Sequence, residues 1–308
     1  MPPNREALVA TAGETIARGS KSFRLASRLF DRSTRERAWL LYAWCRTCDD
    51  LADGQTLGHD ASSVTDGQER LSYLRVQTGR ALAGEAVGEM PFDALRIVAA
   101  ECAIPPRFIH DHLEGFGLDA QGWRPRSEAD MLRYCYHVAG AVGCMMAAVM
   151  GVAPDDEDTL DRASDLGIAF QLANIARDLS EDASVGRCYL PAEWLAEMDI
   201  PPGQHMRPPY RERMAVLAGR LAALAERYAA SARAGAARLP FRSRWAVLAA
   251  AGIYGEIARE VARRGAHAWD RRVVIGRPAK LGLVAKAWRA ALRPALEAPR
   301  DGLWTRPR

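Results

Sequence analysis

A chain of 308 residues that is 49% hydrophobic and 26% charged can bury a large core, which excludes a disordered or low-complexity protein. The formal charge of +4 is mild and the basic residues are spread along the chain, so nucleic acid is not an expected partner. Six cysteines in so long a chain, with no signal-peptide pattern, read as reduced thiols of a cytoplasmic protein rather than a disulfide framework.

Alternating Val/Ile/Thr runs flanked by hairpin turns are scarce, whereas helical periodicity recurs from Ala7 through Arg293. The fold class is therefore all-α, in one domain over residues 1–308. The first informative segment is Leu40-Leu41-Tyr42-Ala43-Trp44-Cys45, an apolar stretch that runs into the acidic cluster Asp49-Asp50-Leu51-Ala52-Asp53. Within it Cys45-Arg46-Thr47-Cys48 spells C-x-x-C. A thioredoxin-like site needs a preceding strand and a zinc site a second pair, so both cysteines are expected in the core. Residues 54–67, rich in Gly, Ser, Asp and Thr, read as a loop. His110-Asp111-His112 is a weak metal motif, because no further His or Cys cluster lies nearby in sequence.

Residues 135–154 are nearly free of charge and close to the ~20 residues that cross a bilayer. Gly140, Gly143, Gly151 and many alanines make the segment small-sided, and a helix at the centre of a bundle is the expectation. Leu166-Gly167-Ile168-Ala169-Phe170 then leads into a second acidic cluster, Asp178-Leu179-Ser180-Glu181-Asp182. Residues 201–209 are Pro-rich and read as a loop. Over residues 280–293, Leu281, Val284, Trp288 and Leu292 recur at helical spacing among Lys280, Lys286, Arg289 and Arg293. Such a basic amphipathic tail, taken as residues 277–308, either packs its stripe on the domain or makes peripheral contact with an anionic membrane, here the inner face.

The two acidic clusters carry the chemistry. Carboxylates at i and i+4 of a helix stack on one face, roughly 6 Å apart along the axis, and repel unless a cation lies between them. Tyr42, Arg46, Asp49 and Asp53 keep within roughly 60° on a helical wheel, and Gln171, Asn174, Asp178 and Asp182 within roughly 80°. Each face thus combines metal-capable oxygens with groups able to grip an anion. Burying unpaired carboxylates in apolar helices costs several kcal/mol, which argues for Mg²⁺ between two opposed walls, with Mn²⁺ as a substitute. Two Asp pairs beside an apolar chamber suit a diphosphate leaving group, whose departure leaves a cation that must be shielded from water.

Longer motifs agree with this chemistry. Tyr134-Cys135-Tyr136-His137-Val138-Ala139-Gly140-Ala141-Val142-Gly143 resembles the first signature of the squalene and phytoene synthases. Gly167 through Pro191, with Gln171, Asn174, Arg177-Asp178, Asp182 and Arg187-Cys188-Tyr189-Leu190-Pro191, resembles the second. Gly19-Ser20-Lys21-Ser22-Phe23, the stretch from Tyr42 to Asp53, and Ile253-Tyr254 are similar to further family segments, so the likeness covers most of the chain.

The resemblance implies an isoprenoid synthase helical bundle around a central cavity and a head-to-head prenyltransferase of carotenoid biosynthesis. Two molecules of geranylgeranyl diphosphate would be joined through a cyclopropylcarbinyl diphosphate to phytoene, with no nicotinamide. By it, Asp49, Asp53, Asn174, Asp178 and Asp182 bind Mg²⁺, and Asp49, Asp53, Asp178 and Asp182 are the catalytic acids. Gly19, Ser20, Lys21, Ser22, Tyr42, Arg46, Gln171, Arg177 and Tyr254 match positions that contact the prenyl diphosphates. Many family members begin the N-terminal stretch with His, whereas this chain has Gly19. Aromatic faces of Phe23, Tyr42, Phe170 or Tyr254 would ease the travelling cation.

Three alternatives stand beside this reading, and the choice between farnesyl and geranylgeranyl diphosphate rests on the family likeness alone. Asp49-Asp50-Leu51-Ala52-Asp53 also fits the D-D-x-x-D of head-to-tail elongation enzymes, but Arg177-Asp178-Leu179-Ser180-Glu181-Asp182 lacks their doubled aspartate. A squalene or dehydrosqualene synthase acting on farnesyl diphosphate shares the motifs and is the nearer rival. A non-catalytic helical scaffold leaves buried aspartates unexplained.

Overall fold

The computed structural model describes residues 4–19, 21–53, 67–293 and 298–308, with the backbone alone for Lys21, Ser22, Ala52 and Asp53. The described chain is helical with no strand, as the periodicity requires. Helices α1 (Arg5–Gly19), α2 (Lys21–Ser27) and α3 (Arg32–Asp53) come first. Asn4 accepts from the Ala7 N–H at 2.8 Å and Asp31 from the Thr34 N–H at 3.0 Å, so α1 and α3 each begin at a capping side chain. The expected loop at residues 54–67 lies outside the described residues except for Gly67, which opens α4 (Gly67–Leu82).

Prolines stand in the first turns of α5 (Met90–Glu101) and α6 (Pro106–Ala120), where a missing N–H costs nothing. A capping box between Ser127 and Asp130 starts α7 (Glu128–Cys135). The charge-poor run is a largely buried helix as expected, continuous from the end of α7 through a π-helical turn over Tyr136–Gly140 into α8 (Ala141–Val149). It stops before Gly151, whose φ is +91°. No described helix is long and apolar enough to cross a membrane.

Helix α9 (Glu157–Ser184) is the centre of the bundle, capped by Asp156, and it packs against α7, the π turn, α8, α11 (Arg211–Gly235) and α12 (Phe241–Arg264). Glycines set how closely. A Cβ on Gly143 would run into the Ala163 carbonyl and one on Gly167 into the Ala139 carbonyl, so α8 and the π turn lie backbone to backbone on α9. Short α10 (Ala192–Glu197) precedes the Pro-rich loop, which is irregular up to a 3₁₀ turn at Pro208–Tyr210. Two apolar clusters result, one centred on Trp44, Phe92 and Phe108, the other on Tyr136, Trp194 and Tyr228. Cys45 and Cys48 are buried free thiols of the first, as expected.

The last helix, α13 (Arg277–Ala291), lies on α12 through its small side: Ala287 and Ala291 are buried, and Trp245 Nε1 donates to the Val284 carbonyl at 2.9 Å. Its larger apolar stripe faces outward, with Leu281 63%, Trp288 44% and Leu292 59% exposed. Residues 298–308 turn back onto α9. Arg300 forks onto Asp165 at 2.7 and 2.8 Å, and Arg306, 3% exposed, reaches Asp161 at 2.9 Å and also pairs with Glu157. The end of the expected tail is thereby an ionic clasp on two buried aspartates of the central helix.

Candidate active site

A cavity of about 620 Å³ runs between the two apolar clusters, within the range that takes a small ligand. Its walls come from α2, α3, α6, the π turn, α8, α9 and α12, and its composition changes along its length. On α3 the lining passes from Leu41 to Asp49, about 12 Å further along the helix, and on α9 from Leu166 to Asp178, about 18 Å further. Both helices therefore bring their acids to the same end, and the remainder is lined mostly by apolar side chains such as Phe30, Met146, Met150, Val247 and Ala250, with Thr159 and Arg162 of α9 among them.

The acidic end gathers Tyr42, Arg46, Asp49, Gln171, Asn174, Asp178 and Asp182 as the two expected faces. Arg46 donates to Asp50 at 2.6 and 3.0 Å, so Asp50 is its ion-pair partner while Asp49 lines the cavity. Arg177 grips its neighbour Asp178, with Nε–Oδ1 at 2.7 Å, and Arg272 approaches the same Oδ1 to 2.8 Å. Asn174 Nδ2 lies 3.5 Å from Gln171 Oε1. Burial, and then the charge of Asp178, push the Asp182 carboxyl up to about 7, against the pull of Arg187.

Oxygen donors with one acid strained toward neutrality suit a hard divalent cation, which offsets both the burial and the Asp178 charge that raise Asp182. Among the described residues no three acid, His or Cys side chains already form a ligating cluster. Asp178 is instead occupied by two guanidinium groups. Ser20 and the side chains of Lys21, Ser22 and Asp53 lie outside the described residues.

Aromatic rings flank the same end. Phe23 stacks on Tyr42 with centroids 5.4 Å apart, and Phe170 on Tyr254 at 4.0 Å. Burial pushes the Tyr42 phenol up to about 12 and raises that of Tyr254, so both remain neutral donors near pH 7. Gly19 ends α1 beside this wall. A Cβ there would stand 2.5 Å from the Tyr42 hydroxyl, so the phenol takes the space a side chain at position 19 would need.

Sequence patterning missed three contributors. Asp119 lines the cavity from α6 and accepts from Tyr134 at 3.0 Å and Tyr189 at 3.1 Å. Arg272 comes from the segment after α12, and His112 lines the apolar part from α6. Asp119 follows His112 and Phe116 at helical spacing along that wall, a signal visible only as one acid closing an otherwise apolar face.

A family model, squalene/phytoene synthase, matches residues 16–279. A 15-cis-phytoene synthase of Pantoea ananas is 46% identical over 309 residues, covering 99% of each chain. One from a Paracoccus strain is 45% identical, covering 97% of this chain and 98% of its own. Among solved structures, a dehydrosqualene synthase in complex with ligand superposes with a TM-score of 0.82 at 26% identity, covering 92% of this chain and 96% of its own.

Proposed function

Since the chain belongs to the squalene/phytoene synthase family, we propose that it is a Mg²⁺-dependent phytoene synthase joining two molecules of geranylgeranyl diphosphate head to head. The observation that carries this reading is the cavity itself, acidic at the end shared by α3 and α9 and apolar beyond it. Names borne by relatives of 44–46% identity support the choice of product. In this reading residues 1–308 act as one catalytic domain, and residues 298–308 fasten it.

Asp49, Asp53, Asn174, Asp178 and Asp182 would hold Mg²⁺, or Mn²⁺ in its place, which neutralises charge on the departing diphosphate. Tyr42 and Gln171 line the acidic end and can donate to phosphate oxygens. Arg46, Arg177 and Arg272 are forked donors that exchange carboxylate partners for phosphate as substrate arrives. Gly19, Ser20, Lys21 and Ser22 complete the diphosphate contacts, those of Gly19 through its backbone.

The apolar walls hold both prenyl chains and exclude water from the cations. One C–O bond ionises, the allylic cation alkylates the double bond of the second molecule, and loss of a proton closes the cyclopropylcarbinyl diphosphate. Its own C–O bond then ionises, the skeleton rearranges, and a second proton leaves to form the central double bond. The stacked pairs Phe23–Tyr42 and Phe170–Tyr254 present π-faces beside the place where charge first develops. The outward stripe of α13, Leu281, Trp288 and Leu292 beside Lys286 and Arg289, supports a peripheral contact with an anionic membrane, from which so apolar a substrate is drawn.

The test is an incubation of purified protein with Mg²⁺ and geranylgeranyl diphosphate without a nicotinamide. Diphosphate and phytoene are the expected products, and Asp49→Asn and Asp178→Asn should lower turnover by about a hundredfold or more with folding intact. The resemblance to a dehydrosqualene synthase structure favours one rival, condensation of farnesyl diphosphate. Preferential formation of squalene or dehydrosqualene when both substrates are offered would overturn the substrate assignment.

A further inference from the structure

The deep end of the cavity, farthest from the acids, is bordered by a charged side chain. Asp178 marks the acidic end of α9, and Arg162 borders the same cavity about 24 Å back along that helix. The wall around Arg162 is small or pliable, with Met146 and Met150 on α8, Ala163 on α9 and Ala250 on α12. Methionine repacks at little cost and alanine leaves room, so these residues do not fix where a prenyl chain must stop.

Arg162 is held in place. Its Nε donates to Asp158 at 3.2 Å, and its Nη1 to the carbonyls of Ser231 at 3.3 Å and Ala298 at 3.0 Å. These acceptors belong to α9, α11 and the C-terminal segment, so the guanidinium is tied from separate elements. Its stem is confined as well, because a Cβ on Gly235 would stand 2.6 Å from the Arg162 Cβ and 3.0 Å from its Cδ. The absence of a side chain at position 235 makes the room that the stem takes. The side chain is not sealed in by this packing, since 15% of its surface stays accessible.

Behind Arg162 the cavity gives way to the outer surface. Asp158 and Arg238 pair there at 2.6 Å, 47% and 49% exposed, and Arg238 donates to the Thr159 hydroxyl at 2.9 Å. Arg162 thus stands between the chamber and water, backed by a chain of charges that runs through Asp158 to Arg238.

We propose that Arg162 is a specificity-determining residue, the floor that sets the longest prenyl chain the cavity accepts. The inference rests on the function proposed above. With the diphosphate fixed at the acidic end, the length of the chain decides how far its tail reaches toward Arg162. A tail one isoprene unit too long has to push the guanidinium off its acceptors and set apolar carbon against a charge, a cost that offsets the contact the extra unit gains. Shorter tails meet no such penalty. The floor therefore acts by exclusion, as an upper limit on length.

The experiment offers equal amounts of geranylgeranyl diphosphate and geranylfarnesyl diphosphate, which is one isoprene unit longer, to wild type, Arg162→Ala and Arg162→Lys with Mg²⁺. Chromatography measures the hydrocarbons that contain a geranylfarnesyl unit relative to phytoene. Arg162→Ala should raise that ratio by about tenfold or more, whereas Arg162→Lys, which keeps a stem and a charge, should stay near the wild-type ratio. A merely structural role would lower turnover of both substrates together and leave the ratio where it was. Arg162→Met keeps the stem without the charge, should also raise the ratio, and decides the matter if Arg162→Ala fails to fold. An unchanged ratio in the alanine variant, or in the methionine variant where alanine does not fold, overturns the assignment of Arg162 and leaves the phytoene synthase reading standing. A rise in Arg162→Lys as large as in Arg162→Ala does the same. A wild-type protein that makes no phytoene overturns that reading, and this inference with it.

Discussion

Arg272 stands 2.8 Å from Asp178, reaching from the segment after α12 to a carboxylate on the central helix. The arginine side chain is half exposed and the aspartate mostly enclosed, so the guanidinium covers the acidic end of the cavity from outside. A second contact with Glu181 at 3.8 Å steadies it there. As a stabilising ion pair it is worth little, because exposed pairs contribute about 0–1 kcal/mol. As a phosphate ligand it is well placed.

Arg272→Ala should therefore leave the melting temperature within about 2 °C of wild type and raise KM for the prenyl diphosphate by about tenfold, with a smaller effect on kcat. Steady-state kinetics at saturating Mg²⁺ check this. An unchanged KM would reduce Arg272 to a surface partner of Asp178.

The C-terminal clasp makes acid stability depend on Glu157. Hydrogen bonds from Arg107 and then Arg306 hold its carboxyl below the ordinary 4.5. A carboxyl lowered in the folded state adds stability that is present above its unfolded value and is lost as pH falls through the folded one. The unfolding temperature of wild type should therefore fall below about pH 4.5, and that of Glu157→Gln should fall less steeply over the same window. Arg306→Ala removes the buried partner of both Glu157 and Asp161 and should cost about 3 kcal/mol at neutral pH. Parallel acid profiles for wild type and Glu157→Gln would refute the linkage.

For α13, vesicle co-sedimentation tests the outward stripe. Wild-type protein should bind vesicles containing anionic lipid and release them at high salt, since basic residues such as Lys286 and Arg289 supply about 1 kcal/mol each near such a surface. Trp288→Glu should abolish binding without altering the fold, because that side chain is exposed. Equal binding by the variant would show that the stripe is not the contact.

Much of this protein was legible in its sequence, for reasons of periodicity. Apolar residues at helical spacing dictate helices whatever their neighbours do, and i and i+4 place Asp49 beside Cys45 and Asp178 beside Asn174 on one face. The long motifs from Tyr134 to Gly143 and from Gly167 to Pro191 were enough to indicate the family. The pairings made across space were not. Asp178 carries Arg272 from far along the chain, and Asp119 of α6 accepts from Tyr134 and Tyr189. The charge-poor run is the expected helix, but its π turn over Tyr136–Gly140 was not legible in the spacing.

What the sequence by itself determined were the helices and the faces they carry, because a helix is built from bonds between residues four apart. Only the tertiary structure decided which faces meet, that Tyr42 fills the space above Gly19, and that Leu281, Trp288 and Leu292 stay outside while Ala287 and Ala291 are buried. It also decided the tautomer of His112, which depends on a carbonyl 25 residues away that the π turn brings to its Nδ1. Contacts of this kind come from shape and volume in a packed interior, and no spacing rule along the chain encodes them.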